Sequence, residues 1–132
     1  MIPPPHLAPA AAFERETREK RLGAVPLDRE LPEGALDDLG AWTVIEDWLH
    51  GRRRRYPVTF ADMEAAAEKA ATHLARICSE QPGAETMKTR HARVRELLLE
   101  LRSARAFVDR LNADLRMRVG RSGTSTEGRA AA

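Results

Sequence analysis

The sequence predicts an all-α fold, in which a helical hairpin with a long C-terminal helix packs as a three- or four-helix bundle. Two observations lead to this prediction. Ala, Leu, Glu and Arg, which are strong helix formers, dominate the 132 residues, and β-branched residues are scarce. Apolar residues also recur at steps of three and four along three segments, which is the period of an amphipathic helix. We therefore expect helices to supply the core.

Composition divides the chain into an extended N-terminal arm, a helical core domain and a disordered C-terminal tail. The predicted boundaries are 1–34 for the arm, 35–120 for the core and 121–132 for the tail. The arm begins with a proline-rich run that cannot start as a helix. From Pro9 to Gly23, opposite charges four residues apart favour a short solvated helix, and Pro26 and Pro32 then indicate a linker. The tail is rich in Gly, Ser and Thr, which is typical of disorder.

The first helix of the predicted core domain extends from Ala35 to about His50. One apolar face contains Leu36, Leu39, Trp42, Ile45 and Leu49. Trp48 lies at the edge of this face, and Gly51 suits the helix end. Because Pro57 prevents continuation of a helix, residues 52–56 should form a basic loop.

The next helix has the clearest start signal in the chain. Thr59 is its predicted N-cap, Asp62 completes a variant of the capping box, and Val58 can pack onto Met63. We expect this helix to reach about Gln81, with an inner face made of Met63, Ala66, Ala67, Ala70, Leu74, Ile77 and Cys78. Pro82 and Gly83 then break the helix. A reversal at this point would place the next helix antiparallel, as a helical hairpin.

The last helix is predicted from about Ala84 to Val119, with Gly120 as its C-cap, and it carries four heptads. Position a holds Met87, Val94, Leu101, Val108 and Leu115, and position d holds Leu97, Ala104 and Leu111 between Arg90 and Arg118. At 1.5 Å per residue this helix would be roughly 54 Å long, against roughly 33 Å for its hairpin partner. About fourteen residues, Ala106 to Val119, should therefore extend beyond the hairpin.

This overhang is too apolar to remain in water, so another surface should cover it. The cover is either the Trp42 helix of the same chain or a second subunit, and the weakly apolar f positions, such as Leu99, favour the second. The lead hypothesis is a non-enzymatic helical assembly or adaptor protein that forms a homo-oligomer or binds a helical protein partner. Its predicted interface consists of Leu97, Leu101, Phe107, Val108, Leu111 and Leu115.

A basic surface supports a second hypothesis, a nucleic-acid-binding accessory subunit of the phage-packaging or ribonucleoprotein type. Residues 87–119 carry nine basic and four acidic side chains. Four of these arginines have no carboxylate three or four residues away and form a stripe suited to a phosphate backbone. The loop adds four arginines that can bind phosphates and a tyrosine that can stack on a base. The predicted contacts are Arg52, Arg53, Arg54, Arg55, Tyr56, Arg90, Arg95, Arg102 and Arg116. A solvated face with acidic tertiary partners explains the same stripe.

The sequence predicts neither a metal site nor a catalytic site. The four histidines do not form the motifs of zinc proteases or di-iron bundles. Cys78 lies on a predicted inner face, where a small core residue is a better interpretation than a nucleophile. We therefore expect no cofactor and no enzymatic activity.

The same patterns predict a cytoplasmic protein without membrane contact. No apolar run approaches the roughly 20 residues that span a bilayer, and the N-terminus lacks the pattern of a secretory signal. A third hypothesis makes the chain a small regulatory or stabilising subunit of an enzyme complex, docking through the proline-rich arm or the Trp42 helix. The sequence alone does not separate this hypothesis from the first.

Overall fold

The computed structural model describes the backbone of residues 3–52, 57–81 and 83–131, and the side chains of these ranges up to Gly120. Within these ranges the chain forms four α-helices and no strand. The helices are α1 (Ala8–Gly23), α2 (Ala35–Leu49), α3 (Phe60–Glu80) and α4 (Glu85–Ala131), and a short 3-10 helix (Pro5–Leu7) precedes α1. The four helices pack against one another. This confirms the predicted all-α bundle.

The helices are arranged as two antiparallel hairpins. α3 packs most extensively on α4, and α1 on α2. In the first hairpin, Arg18 near the end of α1 contacts Asp38 near the start of α2, whereas Arg15 contacts Glu46 near the end of α2. In the second, Glu64 in the first turns of α3 contacts Arg105, far along α4. The predicted hairpin of the last two helices is therefore confirmed.

The capping signals read from the sequence are present at both ends of the loop between the hairpins. The backbone N–H of Asp62 donates to Thr59 Oγ1 at 3.2 Å, and that of Thr59 donates to Asp62 Oδ2 at 3.0 Å. At the end of α2, Gly51 has a φ of 70°, and the N–H of Arg52 donates to the carbonyl of Asp47 at 2.8 Å. This is a Schellman motif, which satisfies carbonyls that the helix leaves unpaired.

The core lies where the two hairpins meet. Its largest fully buried apolar side chains are Trp42, Leu7, Ile45, Met63, Leu74, Leu97, Leu101, Val44 and Val94. α3 contributes mainly alanine to this core, so its backbone can lie close to α4. Trp48 closes one edge, with its ring 5.7 Å from that of Phe60 in a T-shaped arrangement. The predicted inner face of α3 is confirmed from Met63 to Leu74, and the edge position of Trp48 is confirmed as well. Ile77 packs on the core only partly buried, and Cys78, predicted to be a core residue, is half-buried and lies outside the core cluster.

The N-terminal segment belongs to this same core, and the prediction of an extended arm is wrong there. Residues 5–7 form a 3-10 helix, and Leu7 has no exposed surface. α1 was predicted to be solvated, yet Ala8, Ala11 and Glu14 are buried. Small side chains let α1 approach the other helices closely. A search for periodic large apolar residues misses such a contact.

Two further expectations about the helices were wrong. Leu36, predicted to lie on the core face of α2, is 63% exposed. Gly120 does not end the last helix, because α4 continues to Ala131. Among the described glycines only Gly34 and Gly51 have a positive φ, so Gly120 lacks the left-handed conformation that ends a helix. The backbone of residues 121–131 belongs to α4, so the prediction of a disordered tail is wrong for these residues.

A buried cluster of charges joins α1 to α4. Glu14 is 1% exposed and receives two hydrogen bonds from Arg90, at 2.5 and 2.8 Å, and one from Arg18 at 3.0 Å. The Arg18 guanidinium also lies over the ring of Trp42, 4.8 Å from its centroid. Arg90 lies over Phe13 in the same way, at 5.2 Å. Both arginines are thus held by a carboxylate and an aromatic face, which favours charge burial.

Replacing Arg90 should destabilise the bundle strongly. Arg90→Met keeps most of the side-chain volume but removes two of the three hydrogen bonds to a buried carboxylate. We expect the free energy of unfolding, measured by urea titration, to fall by about 3 kcal/mol. Arg95→Met is the matched control: Arg95 is exposed and has no ion pair among the described residues, so a change within about 0.5 kcal/mol is expected. Equal losses in the two variants would contradict this role of Arg90.

The same cluster predicts a loss of stability in acid. Burial raises the pKa of Glu14, but the hydrogen bonds and charges of Arg90 and Arg18 outweigh burial, and the pKa lies below its ordinary value. A lower pKa in the folded state stabilises the fold above the unfolded-state pKa of about 4.3. This stabilisation disappears as the pH falls through the lower folded-state pKa.

Urea titrations at a series of pH values test this assignment on Glu14→Gln. The variant cannot titrate at this position, so its stability should fall less than that of the parent chain between neutral pH and pH values of about 3. All other carboxylates are common to both proteins. Parallel pH profiles would show that Glu14 does not contribute.

Candidate assembly surface

The C-terminal part of α4 extends beyond the start of α3 and lies outside the core. Every residue from Asp109 to Gly120 is exposed. α2 does not cover this part, since no substantial packing of α2 on α4 occurs in the described chain. The predicted overhang is therefore confirmed. The sequence left open that the Trp42 helix of the same chain covers it, but in the described residues α2 does not do so.

Four large apolar side chains follow one another at intervals of four residues along this overhang. They are Phe107, Leu111, Leu115 and Val119, with exposed fractions of 43%, 48%, 48% and 69%. This spacing places them in one ridge on the helix surface. We refer to these four residues as the C-terminal stripe. Val108 beside them is half-buried against the core, so the stripe continues from the core face of α4.

The predicted interface residues are therefore divided between two environments. Leu97 and Leu101 have no exposed surface, because the alanine-rich face of α3 already covers this half of the heptad seam. They are core residues, and assigning them to a partner interface was wrong. Phe107, Leu111 and Leu115 are exposed and accessible. Heptad position alone could not show where the partner helix of the same chain ends.

The predicted basic stripe is interrupted by ion pairs with other helices. Arg90 is bound to Glu14, and Arg102 Nε lies 3.4 Å from Glu64 Oε1. Arg105 also binds Glu64, at 2.8 Å, and its hydrogen bond contributes most to lowering the pKa of that carboxyl. Of the four stripe arginines, Arg95 and Arg116 keep no ion pair within the described chain. They are 21 residues apart, or about 31 Å along the helix.

Some arginines of α4 form ion pairs with carboxylates three or four residues away on the same helix, and others do not. Arg93 lies 3.3 Å from Glu96, three residues further on, and Arg105 lies 3.9 Å from Asp109, four residues further on. Arg110 and Arg118 form no ion pair with any described residue. Together with Arg116 they leave the overhang with three unpaired arginines.

The basic loop lies mostly outside the described residues. Arg53, Arg54, Arg55 and Tyr56 belong to the undescribed range 53–56. Arg52 is described, and its Nη1 lies 3.6 Å from Asp47 Oδ1. The predicted phosphate contacts of residues 53–56 therefore stay predictions.

A groove of about 890 Å³ lies between α2 and α3. Its apolar lining includes Leu36, Leu39, Val58, Ala65 and Ala66, with Gly40 on the α2 side. Leu36, which the sequence assigned to the core, instead contributes exposed apolar surface to this groove. We refer to it as the α2–α3 groove.

The polar groups around this groove are mostly engaged in holding the fold. Asp62 caps α3, and the Thr43 hydroxyl donates to the carbonyl of Leu39 at 2.8 Å. Asp38 accepts a hydrogen bond from Arg18 at 2.5 Å, and Glu19 accepts one from Arg15 at 2.9 Å. No histidine or cysteine is among the described lining residues. The groove therefore offers apolar surface with an acidic rim.

Gly40 has no evident role inside the chain. It lies in the middle of α2, and its φ is not positive. A Cβ added at this position would meet no atom within 4 Å. Glycine inside a helix is less stable than alanine by roughly 0.5–1 kcal/mol. Glycine at position 40 therefore lowers the stability of α2, and no contact within the described chain explains why glycine is present there.

Comparisons of the chain with protein-family models, curated proteins and solved structures found no match. In the part of the chain that the structure describes, no helix is long and apolar enough to cross a membrane. The described residues also contain no group of three or more His, Cys, Asp or Glu side chains placed to hold a metal ion.

Replacing Gly40 by alanine should stabilise the chain. Because the added methyl group meets no atom, the substitution improves helix propensity without strain. We expect the free energy of unfolding to rise by about 0.5–1 kcal/mol in urea titrations. A matched substitution at Gly51, whose φ is 70°, should instead destabilise the chain because alanine rarely adopts that conformation. A loss of stability in Gly40→Ala would show that glycine is required by the fold itself.

Proposed function

We propose that this protein is a non-enzymatic helical assembly protein that self-associates through the C-terminal stripe of α4. The observation that carries the proposal is the position of the stripe. Four large apolar side chains lie on a helix that has already passed the end of its own partner helix. Contiguous apolar surface of this kind is typical of protein interaction sites.

The free energies involved indicate what sort of partner surface the stripe needs. Fully burying a large apolar side chain contributes roughly 1.5–3 kcal/mol, and these side chains are already about half-buried. The stripe alone therefore contributes roughly 4 kcal/mol, whereas association costs an estimated 4–15 kcal/mol. A useful affinity thus requires a partner surface that buries apolar area of its own. A polar, flat surface would not provide it.

Two other proposals have less support from the described residues. A nucleic-acid-binding role loses Arg90 and Arg102, which are held by carboxylates, and depends on Arg95, Arg116 and the undescribed part of the basic loop. Docking to an enzyme through the N-terminal arm would have to leave Leu7 in place, because it is buried in the core. Self-association instead uses side chains that are already exposed.

Light scattering after gel filtration tests the proposal on the chain alone. We expect the parent chain to exceed its monomer mass of 14.7 kDa increasingly with concentration, and a Leu111→Arg, Leu115→Arg variant to stay at that mass. Both substituted positions are about half-exposed, so the circular dichroism spectrum should not change.

Ser103→Arg is the control for this experiment. Ser103 is exposed on the same helix, but it lies outside the stripe and is not one of the apolar f positions. Its replacement adds charge to α4 without altering the proposed contact, so the control should associate like the parent. A parent chain that stays monomeric at hundreds of micromolar would overturn self-association.

A further inference from the structure

The α2–α3 groove and the C-terminal stripe have complementary features and lie on different parts of the chain. We propose that the stripe of one copy packs into the α2–α3 groove of a second copy, so that the chains associate head to tail. This inference rests on the proposed self-association and names the surface that receives the stripe. It accounts for an exposed ridge, an open groove and a mid-helix glycine together.

The groove is long enough for most of the stripe. The groove follows α2 from Leu36 to Thr43, and seven residues of helix span about 10.5 Å. The whole stripe from Phe107 to Val119 spans about 18 Å, and its first three side chains, Phe107 to Leu115, span about 12 Å. Two helical turns of the stripe can therefore place three large side chains along the groove. The apolar lining of the groove would be buried in the same contact, and this adds to the free energy that the stripe alone contributes.

The stripe cannot reach the groove of its own chain. α4 is one uninterrupted helix from Glu85 to Ala131, and it carries the stripe past the start of α3. The groove lies on the other side of α3, between that helix and α2. Contact between stripe and groove therefore requires two chains.

Charges favour the groove over a second stripe as the partner. Three aspartates lie on the groove rim, and two of them, Asp37 and Asp62, form no ion pair with any described residue. The described lining contains one basic side chain, that of Lys69. The overhang carries Arg110, Arg116 and Arg118, which form no ion pair with any described residue, and the exposed carboxylates of Asp109 and Asp114, so its net charge is +1. A segment of weakly positive net charge gains from an acidic groove, whereas a second copy of the same segment has the same sign of charge.

Gly40 provides an observation that is independent of the charges. It lies on the groove side of α2, and no atom of its own chain occupies the space above it. Glycine allows the closest approach of another helix or of a large side chain such as Phe107. A partner packed against Gly40 explains why the chain has glycine at a position where alanine would make α2 more stable.

Two variants separate the donor surface from the acceptor surface. Gly40→Gln places a larger side chain on the groove side of α2. Its Cβ would meet no atom within 4 Å and glutamine is a good helix former, so the variant should fold. The Leu111→Arg, Leu115→Arg variant removes the stripe and leaves the groove intact. Ala92→Gln, at an exposed position on α4, is the control for adding glutamine. Thermal unfolding followed by circular dichroism shows whether each variant is folded.

Sedimentation velocity on the variants, alone and mixed, gives a distinct result for each arrangement. We expect Gly40→Gln alone to weaken association at least tenfold, and Ala92→Gln to behave like the parent. An equimolar mixture of Gly40→Gln and the stripe variant should form a one-to-one dimer that does not grow, because only one stripe and one groove remain.

Three outcomes would contradict head-to-tail packing, and they differ in what else they overturn. In the first outcome, Gly40→Gln associates as strongly as the parent, whereas the stripe variant no longer associates. The stripe would then bind a surface other than the groove, and the proposed self-association would still hold. Failure of two folded, monomeric variants to pair in the mixture also excludes the groove. A monomeric parent chain overturns both this inference and the proposed function.

Discussion

The difference in length between α3 and α4 is the constraint on which the rest of the structure depends. A tight turn after α3 places α4 antiparallel to it, so the 21 residues of α3 can cover only part of a 47-residue helix. Up to about Val108, the heptad seam of α4 is buried in the core. Beyond this point the same apolar pattern continues without a cover. One continuous pattern thus produces both an intramolecular core and an exposed surface.

The second hairpin is fixed to the first by charge as well as by apolar packing. α1 is short of large apolar residues, and its contacts with α4 are led by the bidentate pair of Glu14 and Arg90. His6 Nε2 adds a contact 2.7 Å from Glu96 Oε1 at the start of the chain. A buried pair of this kind stabilises little in comparison with apolar residues, but it allows only one alignment of the helices. It acts together with the direct packing of α2 on α3, including the contact of Trp48 with Phe60, in positioning the two hairpins.

The elements that the sequence predicted well are those with local causes. The capping box of Thr59, the end of α2 at Gly51 and the inner face of α3 all depend on residues a few positions apart. The errors concern contacts between distant residues. Arg90 has no carboxylate nearby in sequence, yet it binds Glu14, 76 positions away. Leu36 matched the apolar period of α2 but faces the groove, since α3 does not approach α2 closely there. Whether a seam residue is core or surface depended on the length of its partner helix.

A stripe and a groove on different parts of one chain have a consequence for the size of the assembly. Each bound copy still presents one free surface of each kind, so a head-to-tail contact either grows into a filament or closes into a ring. A single contact of this size is weak, because its apolar gain is close to the cost of association. Ring closure adds a contact without a further loss of translational freedom, and is therefore favoured over short open chains. In the proposed head-to-tail assembly, the angle between the stripe and the groove would determine the number of copies. Glu14 and Arg90, which join α1 to α4, would then act on assembly from outside the interface.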